Sequence, residues 1–174
     1  MLRSWLVFVV CLGLLVNVGC GGRSGSAAKM PDGKKILINL YFDPGTTPEM
    51  EEAQVKQLEQ LADWMQPDLM NIIEGTGYDV VSVADPATAT GPGRYLLRVR
   101  ITNYNAGSKA ARMFVGFGAG SLQLDAHFEL VDTKGAIAIA GDPSVGSGRD
   151  WKNGARKVNE QVVDAFNGQL HRSL

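Results

Sequence analysis

One stretch past the middle of the chain limits the fold more than any other. Leu122, Leu124, Ala126, Phe128 and Leu130 alternate with Gln123, Asp125, His127 and Glu129. A period of two places the apolar set on one side of a strand and the polar set on the other. Such a strand needs a sheet with one face covered and one face in water, the pattern of antiparallel sheets packed on one side.

The rest of the chain supplies that sheet and its cover. Lys34–Asp43 alternates through Ile36, Ile38, Leu40 and Phe42 and reads as a first strand. Tyr78–Val83 is a short apolar second strand, and Ala136–Ala140 follows the turn Asp132-Thr133-Lys134-Gly135 as a fifth. Tyr95–Tyr104 is the third, with Leu97, Val99 and Ile101 on one face and Arg98 and Arg100 on the other. Antiparallel pairing of the third and fourth strands sets these arginines against the carboxylates of the fourth.

Between the first two strands, Val55, Leu58, Leu61, Ala62 and Met65 recur at helical spacing, continued past Pro67 by Leu69, Ile72 and Ile73. Thr47 is the expected cap, Pro48 the first helical residue, and Glu49, Glu51 and Glu52 the acidic first turn. Pro67 predicts either a kink or two helices meeting at Gln66. A strand, a helix and a strand suggest a parallel pair. Trp151, Ala155, Val158, Val162, Phe166 and Leu170 form the stripe of a last helix. Trp64 and Trp151 fall on or near the two stripes. The expected class is α+β: a mixed, mostly antiparallel sheet of about five strands with two main helices packed on it. The order is strand, helix, strand, strand, strand, strand, helix.

The N-terminus carries a different signal. Met1-Leu2-Arg3-Ser4-Trp5 is a short positive region, Leu6–Val18 is apolar apart from Asn17, and Gly19-Cys20-Gly21-Gly22 follows. This is the layout of a secretory signal, and the run is short for a span of about 20 apolar residues. A cysteine after a small residue at the end of such a run resembles the cleavage box of bacterial lipoproteins, although Asn17 stands where leucine is usual. The expected organisation is a signal peptide over 1–19, lipidated Cys20 with a flexible tether over 20–33, and one periplasmic α+β domain over 34–174. Residues 21–33 are small, polar and glycine-rich, and would span about 20 Å on average. Removing residues 1–19 takes away Cys11 and Arg3, leaving 16 basic against 18 acidic residues, a net charge of −2. With Cys20 acylated, no thiol remains for a disulfide or a metal cluster. The charge balance argues against a nucleic-acid partner.

Arg112-Met113-Phe114-Val115-Gly116-Phe117-Gly118-Ala119-Gly120-Ser121 joins the third and fourth strands. Its alternating glycines do not make a phosphate cradle, because a strand pattern follows and no suitably spaced lysine appears. They read either as a glycine-bent strand where another backbone approaches, or as an uncharged edge that adds a partner strand. Arg112, Gly116, Phe117, Gly118 and Gly120 are the candidate residues of this motif. Asn105-Ala106-Gly107-Ser108, Arg112, the Gly116–Gly120 block and the alternation ending in Val131-Asp132 together resemble a family of small bacterial envelope lipoproteins, domain of unknown function 4410. The resemblance implies an envelope location and a fold, and no activity. The element order also looks like that of periplasmic domains of curli-secretion lipoproteins and of lipoprotein activators of penicillin-binding proteins, at the level of fold alone.

No catalytic set emerges. Gly-x-Ser-x-Gly and His-Glu-x-x-His are absent, and Glu51-Glu52 sits at a helix start. Asp125, His127 and Glu129 are metal-ligand types, but three alternate residues along one strand do not converge on one ion. The expectation is a non-enzymatic lipoprotein without cofactor or metal, at the periplasmic face of the outer membrane. It would be held there by Cys20 and bind another envelope protein or component. The alternatives are a periplasmic enzyme or small-ligand binder, and a homo-oligomeric structural part.

Overall fold

A computed structural model describes residues 27–30, 33, 35–88, 90–105, 107, 122–148 and 150–173. The described elements are β1 (Leu37–Asp43), α1 (Glu52–Thr76), β2 (Asp79–Ser82), a 3-10 turn (Pro86–Thr88), β3 (Arg94–Asn105), β4 (Leu122–Val131), β5 (Ile137–Gly141), β6 (Ser144–Gly148) and α2 (Trp151–Ser173). The α+β reading holds, with six strands in the order β2-β1-β3-β4-β5 and β6 also on β4.

β1 pairs in parallel with both β2 and β3, while β4 is antiparallel to β3, β5 and β6. The expected parallel pair is therefore present. β6 was not anticipated: Val145 is the single apolar side chain in its run of serine and glycine, so its sequence carries little strand signal. β5 covers Phe128–Val131 and β6 covers Leu122–Asp125, so the two lie end to end along β4. Asp142-Pro143 joins them, and the Pro143 carbonyl accepts the Ala126 N–H.

Both helices lie on one face. Leu69 and Ile73 of α1 and Val162 and Phe166 of α2 pack with Ile38, Leu40, Leu97, Val99, Phe128 and Leu130 of the sheet. A second group, Leu58, Leu61, Met65, Ile101, Leu124, Ala126 and Val158, continues this core toward the ends of β1 and β3. The phase of β4 is as expected: Leu124 and Phe128 are buried. On the other face, Val83 packs on Tyr41, Leu96 and Val131. The connection from β2 to β3 thus covers the lower part of that face, where β3 begins.

Two details of α1 correct the expectation. The helix starts at Glu52, not at Pro48; Pro48 and Glu49 lie in a turn closed by the Met50 N–H donating to the Thr47 carbonyl. Glu51 is the cap, with a reciprocal box to Gln54 that satisfies two end donors at once. One continuous helix runs through Pro67 to the left-handed Gly77, so the two-helix alternative is gone.

Within the stretch read as tether, part of the chain lies against the fold. The Ala27 N–H donates to the Thr76 carbonyl, and the Ala28 N–H to the Tyr78 hydroxyl at 3.1 Å. That hydroxyl donates in turn to Asn167 of α2, and burial pushes the Tyr78 phenol up. Ala28 belongs to the core. The N-terminal segment is therefore fixed at the lower end of the sheet, beside the starts of β1 and β3.

Candidate functional site

β3 is longer than the strand beside it. β1 ends at Asp43, opposite Arg100, because Pro44-Gly45 turns the chain away toward α1. β3 continues to Asn105, paired with β4 on its other side. Among the described residues no strand pairs with Thr102–Asn105 on the side that β1 leaves. The β3–β4 register shifts between Ile101 and Asn103, so Thr102 is an extra residue, a bulge that bends and twists the strand at this point.

The turn out of β1 fits tightly against β3. Gly45 has φ 76°, and a β-carbon there would stand 1.9 Å from the Ile101 carbonyl oxygen. Only glycine serves both demands. The Asp43 carboxylate accepts the Gly45 N–H at 2.8 Å and lies 3.5 Å from the Arg100 guanidinium.

This leaves a cleft of about 500 Å³ between α1 and the end of β3 that β1 does not reach. Met50, Leu58 and Ile101 give it apolar ground; Gln54 and Gln57 of α1 face Thr102, Asn103 and Asn105 of β3. Among the described residues, Tyr104 is the one titratable side chain in its lining, and burial pushes that phenol up. The lining is therefore neutral and rich in amides, which donate and accept hydrogen bonds equally well. It continues past Gln57 to Gln60, Leu61 and Trp151. Trp151 meets Trp64 edge to face, centroids 5.6 Å apart, and Lys152 stands 5.6 Å from the Trp151 ring. The two tryptophans thus join the helices beside the cleft, both half-buried.

On the open face, one of the two expected arginine–carboxylate pairs across β3 and β4 is present; Arg100 lies opposite His127 and meets Asp43 of β1 instead. Arg98 meets Glu129 at 3.3 Å. His127 Nδ1 lies 2.7 Å from Asp142, and Nε2 3.8 Å from Glu129. Asp125 accepts from Ser144, from Asn103 at 2.9 Å and from Gln123 at 3.0 Å; these donors, Ser144 first, hold its carboxyl below the usual range. The expectation that Asp125, His127 and Glu129 are exposed needs correction: all three are half-buried, because neighbours on β3, β6 and the Asp142 turn lean over them. Among the described residues, no group of three or more His, Cys, Asp or Glu side chains is placed to hold a metal ion.

Cys20 and the motif residues Arg112, Gly116, Phe117, Gly118 and Gly120 lie outside the described residues. Gln54, Gln57, Asn103, Tyr104 and Asn105 were not singled out from sequence. The signal for them was the Pro44-Gly45 stop of β1 against the longer alternation of β3. It becomes a cleft only when the register of the two strands is known.

Comparison with solved structures finds weak likenesses. Two crystal forms of the PelC dodecamer from Paraburkholderia phytofirmans, the first of them of a single-residue variant, match at 14% and 17% identity with TM-scores of 0.43 and 0.46. Each covers 82% of this chain, and 92% and 93% of PelC. A putative neuraminyllactose-binding hemagglutinin homolog from Helicobacter pylori matches at 13% identity and TM-score 0.32, over 86% of this chain and 87% of its own. No match is found among curated proteins. The family of domain of unknown function DUF4410 matches residues 26–170, from the docked N-terminal segment to the last buried leucine of α2. On that match, the chain belongs to the DUF4410 family.

Proposed function

We infer that this chain is a membrane-tethered, non-catalytic lipoprotein of the bacterial cell envelope that works by binding another envelope component. The N-terminal pattern carries the reading: a positive start, an apolar run from Leu6 to Val18, and Cys20 after Gly19. Lipid on Cys20 would leave seven Cα steps to Ala27, a reach of about 25 Å. Since Ala27 is hydrogen-bonded at the lower end of the sheet, that end would face the membrane, and the cleft at the far end of β3 would face the periplasm.

The neutral, amide-lined cleft supports binding over chemistry, because its described lining holds no paired acid and base. The same cleft favours one second reading, a small-ligand-binding lipoprotein, since its volume lies in the range of ligand pockets. An outer-membrane address follows from Gly21 after the cysteine, where aspartate is the usual inner-membrane retention residue in enteric bacteria.

The test is mass spectrometry of the mature protein from native membranes, with Cys20→Ser beside it. We expect an acylated N-terminal Cys20, and release or an uncleaved precursor for the variant. An unmodified Cys20 in the mature protein would refute the anchoring.

A further inference from the structure

We propose that the free edge of β3 at Thr102–Asn105 is a strand-addition site, and that its occupant is an uncharged, extended segment of another envelope protein. The inference deepens the reading of the chain as a binding module and depends on that reading. The edge and its preference for uncharged segments do not depend on lipid at Cys20; the choice of a polypeptide over a lipid surface does.

Backbone groups along a strand point alternately to its two sides, and in a β-sheet both sides are normally paired. β4 pairs one side of β3 through Asn105, whereas β1 pairs the other only through Arg100. The four residues from the bulge to the end of β3 span about 13 Å of edge. An incoming strand would lie in line with β1, past the Gly45 turn, with α1 beside it. Its backbone would pair with β3, the standard mode of peptide capture at a sheet edge.

The cleft also defines the chemistry of the occupant. One of any two neighbouring residues of an added strand must face α1. There it meets Met50, Leu58 and the amides of Gln54 and Gln57. Among the described residues, no lysine, arginine, aspartate or glutamate lines the cleft. A charge facing these residues would lose water without gaining a counter-ion from them, so they select against charged segments. The position selects as well. The chain enters the fold at Ala27, near the start of β3, and the edge lies eight to eleven residues further along that strand, about 26–36 Å away. A lipid surface at the N-terminal end does not reach the cleft, and a polypeptide in the periplasm does.

The test uses the full-length protein in detergent and three end-blocked, fluorescent hexapeptides. One alternates valine with serine and threonine. The others carry Glu-Glu or Lys-Lys at the two central positions, so that a charge faces α1 in either register. Binding is read by anisotropy, and its place by amide hydrogen exchange over Thr102–Asn105. We expect saturable binding of the uncharged peptide with slowed exchange at those of the four amides that point away from β4. The charged peptides should bind at least about tenfold more weakly. Gln57→Lys, an exposed helix position, should recover most of that loss for the Glu-Glu peptide and not for the Lys-Lys one.

Equal affinity for all three peptides, protection elsewhere, or no recovery with Gln57→Lys overturns the proposal. So does slow exchange, without peptide, at the amides of Thr102–Asn105 that point away from β4: at every dilution it would mean that the chain covers its own edge, and at high concentration only, that a second copy does. An unlipidated Cys20 together with the expected peptide result would remove the anchoring and leave this site standing.

Discussion

The two halves of β3 share one strand and one partner, β4, yet they are different environments. Tyr95, Leu96, Leu97 and Val99 lie between β1 and β4 and are buried; among the described strands Thr102, Asn103 and Asn105 have β4 alone, and they are exposed, while Tyr104 is half-buried. Side-chain composition follows the same division, from leucine and valine to threonine, asparagine and tyrosine. The division falls where β1 turns away at Pro44-Gly45. A sheet residue needs a second neighbouring strand to be closed off, and the point where that neighbour leaves is where a strand becomes available to another molecule.

The largest test of this contrast is a pair of truncations. Phe128 lies opposite Val99 in the closed half and is 3% exposed. Phe128→Ala should cost about 3–5 kcal/mol in chemical denaturation. Tyr104→Ala, in the open half, should cost less than about 2 kcal/mol, because its ring already meets water. Equal costs would mean that the two halves are packed alike and that the open half is no site.

The seam between the halves is the next test. Gly45→Ala adds a β-carbon 1.9 Å from the Ile101 carbonyl at a residue with φ 76°. Backbone strain alone costs on the order of 1–3 kcal/mol at such a position. We expect a loss of about 2–4 kcal/mol, since the backbone contact must also open. Gly135, also at positive φ (84°) but with no atom near its would-be β-carbon, is the control: Gly135→Ala should cost only the strain, about 1 kcal/mol. Similar losses at the two sites would remove the close approach as the reason for the seam.

A smaller effect separates charge from packing on the open face of the closed half. Arg98 and Glu129 face each other at 3.3 Å, with side chains 43% and 25% exposed. A double-mutant cycle with Arg98→Ala and Glu129→Ala should give a coupling of about 0.2–1 kcal/mol, reduced further by salt. A coupling near that of a buried pair would show that the open face is drier than its exposure implies.

These features were unequally legible in the sequence. The alternation of β4, the stripe of α2 and the pairing of Arg98 with a carboxylate all follow from period and register, which side-chain order encodes directly. The start of α1 was misplaced because Thr47-Pro48 is itself a good cap sequence, and a stronger reciprocal box stands four residues later at Glu51 and Gln54. β6 was missed because its strand character comes from β4 and not from its own serines and glycines. Ala28 was assigned to the tether because a small residue among glycines and serines carries no periodicity; its place depends on the Tyr78 hydroxyl, fifty residues away. The cleft was hidden for a related reason. It lies where β1 leaves β3, and the departure of a neighbour leaves no mark on the residues that it no longer pairs.

The smallest expected effect asks whether the open half is held by polar groups where the closed half is held by apolar ones. Asp125 ties the upper ends of three strands: it accepts from Asn103 of β3, Gln123 of β4 and Ser144 of β6. Those donors favour the carboxylate, so its folded pKa lies below the ordinary value while the unfolded one does not. A group of this kind adds stability above its unfolded pKa, near 4, and loses it as the pH falls through the lower folded value. Acid should therefore loosen the upper ends of β3, β4 and β6 before it touches Phe128–Val131. The readout is amide exchange at Gln123–Asp125 against Phe128–Leu130, compared between pH 7 and pH 3. Asp125→Asn gives the sign check, because its side chain does not titrate. The variant should be less stable than the parent at pH 7, and the gap should narrow toward pH 3, as the parent carboxyl takes up its proton. A gap that stays constant, or widens, would mean that Asp125 does not hold the open half together, and that its donors only decorate a strand end fixed by the apolar residues beneath.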